Sequence, residues 1–194
     1  MGVFNGNWKS NTINGSQKAD NIFARGGDDT INGNGGDDGI WGGDGHDLIH
    51  GGAGNDTIRG DEGNNAYNGN DTIFGDGGND MLIGEKGVDL LDGGDGDDTL
   101  VGGEGNDVLT GGSGIDLFAF YPGWGDPGHD SITDFVSGTD KIDLRIWEIS
   151  MANISMAASE SDTIVSVDTD LDGIVDFTIT LVGTGAPAES DFLI

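Results

Sequence analysis

Large apolar side chains along this chain are sparse and evenly spaced. One returns every nine residues at Ile22, Ile31, Ile40, Ile49 and Ile58, and again at Ile73, Leu82, Leu91, Leu100, Leu109 and Phe118. Two positions before each stands an Asp, from Asp20 to Asp116. In nine-residue units starting at Gly15, Ala24, Gly33, Gly42, Gly51, Gly60, Gly75, Gly84, Gly93, Gly102 and Gly111, the Asp is position 6 and the apolar residue position 8. Asn11 and Ile13 mark a degenerate unit, 6–14, before the first. Positions 7–9 predict a short strand whose central side chain alone points inward. The Gly-rich remainder reverses the chain, since Gly accepts positive φ without steric cost. Each unit then makes a half-turn and two units one coil, with coils stacked about 4.8 Å apart by strand hydrogen bonds.

Between Gly60 and Phe74 the period slips by six residues. Either "GNNAYN" (63–68) is looped out of one unit, or a full unit is followed by a truncated one. The outward residues at position 9 favour the loop. With it, one sheet carries Phe23, Trp41, Arg59, Ile83, Val101 and Ala119, and the other Asn32, His50, Phe74, Asp92 and Thr110. The first ladder is mostly apolar, the second mostly polar. Phe23, Trp41, Arg59, Ile83 and Val101 therefore form a candidate partner surface, or simply pack along the sheet.

Charge changes the picture. The chain of 194 residues has 36 Asp and Glu against 7 Lys and Arg, a formal net charge of −29. Such a surface repels nucleic acid and anionic membrane and attracts cations. The absence of Cys rules out disulfides and thiolate metal sites. No apolar run approaches the roughly 18 residues of a membrane helix, and "GVFNGNWKSN" after Met1 predicts no cleaved signal peptide. Burying one Ile or Leu gives about 1.5–3 kcal/mol, while ordering each backbone residue costs about 1–2 kcal/mol. A core of one large side chain per unit is thin, and every unit adds a carboxylate. A cation must enter the turns.

The pattern G-G-x-G-x-D-x-U-x resembles the RTX family, the haemolysin-type calcium-binding repeat proteins secreted by Gram-negative bacteria. The resemblance covers about residues 15–119. It implies an all-β, right-handed parallel β-roll with a β-rich C-terminal cap, loaded with Ca2+. The available donors suit that ion, which takes six to eight hard oxygens in irregular geometry. The resemblance further implies that each ion lies between one turn and the turn two units later. Carbonyls of positions 2 and 4 and the Asp of the first turn would meet carbonyls of positions 1 and 3 and the Asp of the second. On this chain that means Arg25, Gly27 and Asp29 with Gly42, Asp44 and Asp47, and Asn34, Gly36 and Asp38 with Gly51, Ala53 and Asp56. Gly43, Gly45 and Asp47 would face the following turn, as would Gly52, Gly54 and Asp56, with Asp71 in the interrupted one. Further along, Gly78 and Asp80 would join Gly93, Asp95 and Asp98, and Gly87 and Asp89 would join Gly102, Glu104 and Asp107. Gly94, Gly96 and Asp98 would close on Gly111, Ser113 and Asp116, with Gly103, Gly105 and Asp107 facing onward. Lys18, where Gly is expected, marks the expected gap in a set of about seven or eight ions.

After the repeats, "HDSITDFVSGTDKIDL" resembles the segment that follows them in RTX proteins and is expected to cap the roll with strands near 131–136 and 141–144. Residues 145–157 are ambiguous, with a short helix as one reading. Residues 163–167 and 174–182 alternate like hairpin strands. Their link holds Asp168, Asp170, Asp172 and Asp176, either a calcium loop of D-x-D-x-D-G type or an acidic turn, since the expected Glu of such a loop is Ile179. The final "ESDFLI" resembles the uncleaved C-terminal signal of type I secretion substrates. Without H-E-x-x-H, G-x-S-x-G or a P-loop, no catalytic group is expected; His46, His50 and His129 are expected to be surface residues. The sequence divides into an edge (1–14), the repeats (15–119) and the C-terminal region (120–194). The expected role is calcium-dependent folding and type I export to the extracellular medium. The alternative is an accessory module of a secreted metalloprotease, lipase or alginate epimerase that holds polysaccharide or a partner, or an adhesin module.

Overall fold

The computed structural model describes residues 1–61, 69–121 and 127–194. Within them, successive strands alternate between two sheets that enclose one core. One sheet runs Val3–Asn5, Asn21–Gly26, Gly39–Asp44, Thr57–Arg59, Met81–Lys86, Thr99–Glu104, Leu117–Ala119, Lys141–Asp143 and Phe192–Leu193, all in parallel register. The other runs in parallel from Thr12–Asn14 through Thr30–Gly35, Leu48–Ala53, Thr72–Gly77, Leu90–Asp95, Val108–Ser113 and His129–Ile132 to Phe177–Leu181. Antiparallel strands Asp162–Val167 and Ile154–Ser159 complete it. This is the expected parallel β-roll.

The strands are longer than the sequence pattern predicts. Most complete ones span six residues, positions 7–9 of one unit and 1–3 of the next. In Thr30–Gly35 the side facing inward is Ile31, Gly33 and Gly35. Position 1 is Gly or Ala throughout, so no large side chain enters the core there while the chain stays extended. Large side chains enter the core only at position 8. They stack as Ile22, Ile40, Ile58, Leu82, Leu100, Phe118 and Ile142 on one sheet. The facing stack is Ile13, Ile31, Ile49, Ile73, Leu91, Leu109 and Ile132.

The slip is resolved by register. Arg59 pairs with Ile83, 24 residues on, where regular coils pair 18 apart, as Trp41 does with Arg59. The strands on either side are thus placed as the insertion requires; the looped residues 63–68 themselves lie outside the described residues. The roll also begins earlier than the repeat, because Phe4 pairs with Ile22.

At the far end the β-rich region continues both sheets rather than forming a separate layer. His129–Ile132 and Lys141–Asp143 add a coil, and Phe177–Leu181 and Phe192–Leu193 add the next strand to each sheet. Residues 145–157 form two single 3-10 turns, Arg145–Trp147 and Met151–Asn153, leading into Ile154–Ser159. Trp147 packs on Phe177 (5.4 Å between rings) and donates its indole N–H to the Phe120 carbonyl, closing the end of the core.

Leu100→Ala removes a fully buried side chain from mid-stack and should cost about 2–5 kcal/mol. Leu90→Ala, at an exposed position 7, should stay within about 0.5 kcal/mol. Urea unfolding in saturating calcium measures both; equal losses would contradict a core fed from position 8 alone.

Candidate metal centre

The position-6 aspartates form two continuous ladders, one along each row of turns. In the first, the backbone N–H of Asp29 donates to Asp47 Oδ1 (2.8 Å), Asp47 to Asp71 (2.9 Å), Asp71 to Asp89 (2.8 Å) and Asp89 to Asp107 (2.8 Å). In the second, Asp20 donates to Asp38, Asp38 to Asp56, Asp56 to Asp80 and Asp80 to Asp98, each at 2.7 Å, and Asp98 to Asp116 at 3.0 Å. Each Asp carbonyl accepts in turn from position 7 two units on, as Asp29 does from Leu48 N–H. The residue is therefore fixed by backbone and side chain together.

One oxygen of each carboxylate is left over. Oδ2 of Asp29, Asp38, Asp47, Asp56, Asp71, Asp80, Asp89, Asp98 and Asp107 is buried without a hydrogen-bond partner. A buried polar atom in this state costs about 1–3 kcal/mol, more when charged, and native chains hold few of them. Here they form rows. They crowd position 1, which is glycine in every unit but the one begun by Ala24: a methyl group on Gly42 would strike Asp47 Oδ2. Position 4 supplies carbonyls along the same rows. At Gly96 (φ 139°) a methyl group would strike the Gly78 carbonyl of the preceding coil. The position-3 carbonyls of Asp44, Ala53 and Ser113 already accept N–H from Gly27, Gly36 and Gly96 (2.7, 2.7 and 2.8 Å), leaving each one further lone pair. Carboxylate and carbonyl oxygens without nitrogen or sulfur make a hard donor set, which fits calcium.

Burial pushes these carboxyls upward from their ordinary value of 3.8. Asp71 rises to about 9, and Asp47, Asp80 and Asp89 to about 7. Asp29, Asp56, Asp107 and Asp116 rise to about 6. Desolvation dominates and neighbouring carboxylates add to it in most; the ladder N–H bonds oppose both.

Several residues stand apart from the sequence reading. Asp20 in the Lys18 turn has no orphan oxygen: Oδ2 accepts from Ser16 N–H and Oγ, and its pKa is lowered, first by that hydroxyl. Asp130 and Asp140 extend the two ladders beyond the repeats, accepting from Asp107 N–H (2.7 Å) and Asp116 N–H (3.1 Å). Their signal was legible as D-x-U, Asp130 before Ile132 and Asp140 before Ile142, but the spacing of ten broke the period. His46 is a structural link at position 5, where its N–H donates to Asp28 and its Nδ1 accepts from Asn70 N–H (2.7 Å). His50 stacks on Phe74 (4.7 Å) and meets Asp76 at 3.1 Å.

The apolar outer ladder is a surface only at its start. Phe23 and Trp41 stack at 4.6 Å and stay half-buried, and Arg59 pairs with Glu85. Ile83 and Val101 are buried with Ala119, with Tyr121 packed on them, so they offer no partner surface. In the 168–176 link, carboxylate oxygens of Asp168, Asp170 and Asp176 lie within 4.8 Å of one another, whereas Asp172 is not part of the group. Asp172 instead accepts from Ile174 N–H.

Stacked two-unit coils with an oxygen-lined row at each turn define a β-roll whose turns suit a hard cation. The profile of the RTX calcium-binding nonapeptide repeat matches in four copies, over residues 5–40, 40–67, 65–91 and 83–118. The chain belongs to the RTX calcium-binding repeat family, and its repeats bind calcium. That family is a calcium-binding structural module rather than a catalytic one. No curated protein sequence matches the chain. Among solved structures, it is similar to the AlgE6R3 subunit of the Azotobacter vinelandii mannuronan C5-epimerase, at 19% identity over 96% of this chain and 80% of that one, with a TM-score of 0.37. The extracellular lipase LipA from Serratia marcescens is 18% identical, with a TM-score of 0.30. The match covers all of this chain but only 40% of the lipase.

The raised carboxyls set a direction of pH dependence. Without metal, the folded roll keeps up to about pH 6 to 9 the protons that the unfolded chain releases near pH 4, so its stability falls as pH rises through that window. Calcium-free protein should show more β-signal in circular dichroism at pH 4 than at pH 8. Calcium binding displaces the same protons, so the calcium midpoint should fall as pH rises from 5 to 8. A midpoint independent of pH would contradict the burial of these carboxyls.

Proposed function

We propose that this chain is a calcium-switched secretion module, exported unfolded and folded outside by calcium. The observation that carries the reading is the double row of buried, unpartnered Asp Oδ2 atoms. Ionised and without calcium, those carboxylates disfavour the stacked coils; with it, binding free energy becomes folding free energy. A cytoplasm poor in free calcium would keep the chain threadable, and a calcium-rich medium would close it. Repeats of this family occur in secreted bacterial proteins. Among the described residues, no helix is long and apolar enough to cross a membrane.

The ligands in this reading are the position-6 aspartates from Asp29 to Asp116 with the turn carbonyls beside them. The Lys18 turn is left out, because Asp20 spends its oxygens on Ser16 and Gly2. The C-terminal segment is the export signal, engaged by a type I exporter before folding. In the folded chain Asp191 is fully buried and accepts from Ser137 Oγ (2.5 Å), Gly138 N–H (3.1 Å) and Lys141 Nζ (3.2 Å). Phe192 pairs with Ile142. The folded form thus buries Asp191 and Phe192 of the segment that an exporter would read, while Glu189, Ser190 and Ile194 stay exposed.

Circular dichroism tests the switch. Excess chelator at pH 7.5 should abolish most of the β-signal and calcium should restore it; a spectrum indifferent to chelator sinks the proposal. Asp98→Asn should raise the calcium midpoint severalfold. Export through a type I system should be lost when residues 189–194 are deleted, and undiminished export of that truncation would remove the signal from the reading.

A further inference from the structure

The nonapeptide rule gives position 2 only a backbone role. At the interrupted turn, position 2 is Asp61, and it does not behave as an outward residue. It is 4% exposed. Asp76, the acid at position 2 of the next unit, has a side chain 42% exposed that meets His50. Asp61 Oδ2 accepts from Lys86 N–H of the following coil on the same sheet (3.4 Å). Its Oδ1 is buried and has no partner.

Asp61 lies beside one ladder of aspartates. It is near enough to Asp47, Asp71 and Asp89, three successive rungs, for its charge to raise the pKa of each. All three carry an unpartnered Oδ2 of their own. Three rungs with one free oxygen each are the ordinary state of the row; a fourth carboxylate with a free, buried oxygen is peculiar to this turn. The backbone N–H groups of Lys86 and Gly69 both act on this carboxylate, yet Oδ1 is left without a geometric hydrogen bond. A hard cation accounts for that oxygen, because it gains from every added carboxylate oxygen.

We propose that Asp61 is a side-chain calcium ligand, contributed by the interrupted turn to the ion row that runs past Asp47, Asp71 and Asp89. The assignment rests on the calcium reading of the repeats. It makes the interrupted turn the most acidic point of its row rather than a gap in it. The insertion then adds a ligand that the regular repeat lacks.

The test compares Asp61→Asn, Asp76→Asn and Asp71→Asn in the full chain, with calcium as the probe. Equilibrium dialysis counts bound ions, and circular dichroism reads folding against calcium concentration. Asp61→Asn keeps the shape and the acceptor for Lys86 N–H. It should bind one ion fewer than the unaltered chain at matched calcium, or bind that ion roughly tenfold more weakly. Its full β-signal should return as calcium is raised further. Asp76→Asn removes the same charge from an exposed site and should leave the isotherm unchanged. If Asp61→Asn matches Asp76→Asn while Asp71→Asn loses an ion, the row stands and Asp61 is not a ligand. If the β-signal of Asp61→Asn fails to return at any calcium concentration, Asp61 only closes the base of the insertion and the proposal fails. If Asp71→Asn also changes nothing, there is no ion at this turn and the reading beneath the proposal fails with it.

Discussion

Everything in this molecule depends on one repeated contact, the backbone N–H of an Asp donating to the carboxylate of the Asp one coil further on. It orients each carboxylate with Oδ1 toward its neighbour and Oδ2 into the turn. It also holds like charges at the spacing of a coil, where they repel. The hydrophobic stack does not compensate generously, since each unit adds one large side chain. The roll is thus built on a contact that is complete in geometry and incomplete in charge. Calcium, which the repeats of this family bind, supplies the missing charge.

Most of this was legible in the sequence because the determinants are local and in phase. Ile22 to Phe118 predicted the core, and the segregation of position 9 predicted the pairing of Arg59 with Ile83 across the slip. What escaped reading had lost the phase or depended on distant chain. Asp130 and Asp140 sit ten residues apart in turns without paired glycines, so the ladder they extend did not announce itself. Asp61 stands at position 2, where Arg25, Asn34 and Asp76 are exposed and the buried Glu85 is neutralised by Arg59. Ile83 and Val101 alternate as exposed residues should, but Tyr121 packs against them. Alternation reports the face of a strand; it cannot report what later covers that face.

The length of the strands makes a related point. A turn residue was expected to begin where the large side chain ended. Instead the extended backbone carries on through positions 1 to 3, and the small residue at position 1 keeps large side chains out of the core there. The glycines serve as the thin walls of the ion row as much as bends. At Gly42, Gly51 and Gly93 a methyl group would crowd the Oδ2 of the Asp in the same unit.

The segregated outer faces carry a consequence for how such a chain changes length over generations. Neighbours within a sheet are two units apart, so gain or loss of 18 residues preserves every pairing partner, both ladders and both outer faces. Gain or loss of nine would move every later strand to the opposite sheet, setting Trp41 and its neighbours against the polar column of Asn32 and His50. The six residues inserted after Glu62 avoid both outcomes, since they leave the strand count unchanged. The increments that preserve every pairing are therefore the double unit within the roll and an insertion at a turn.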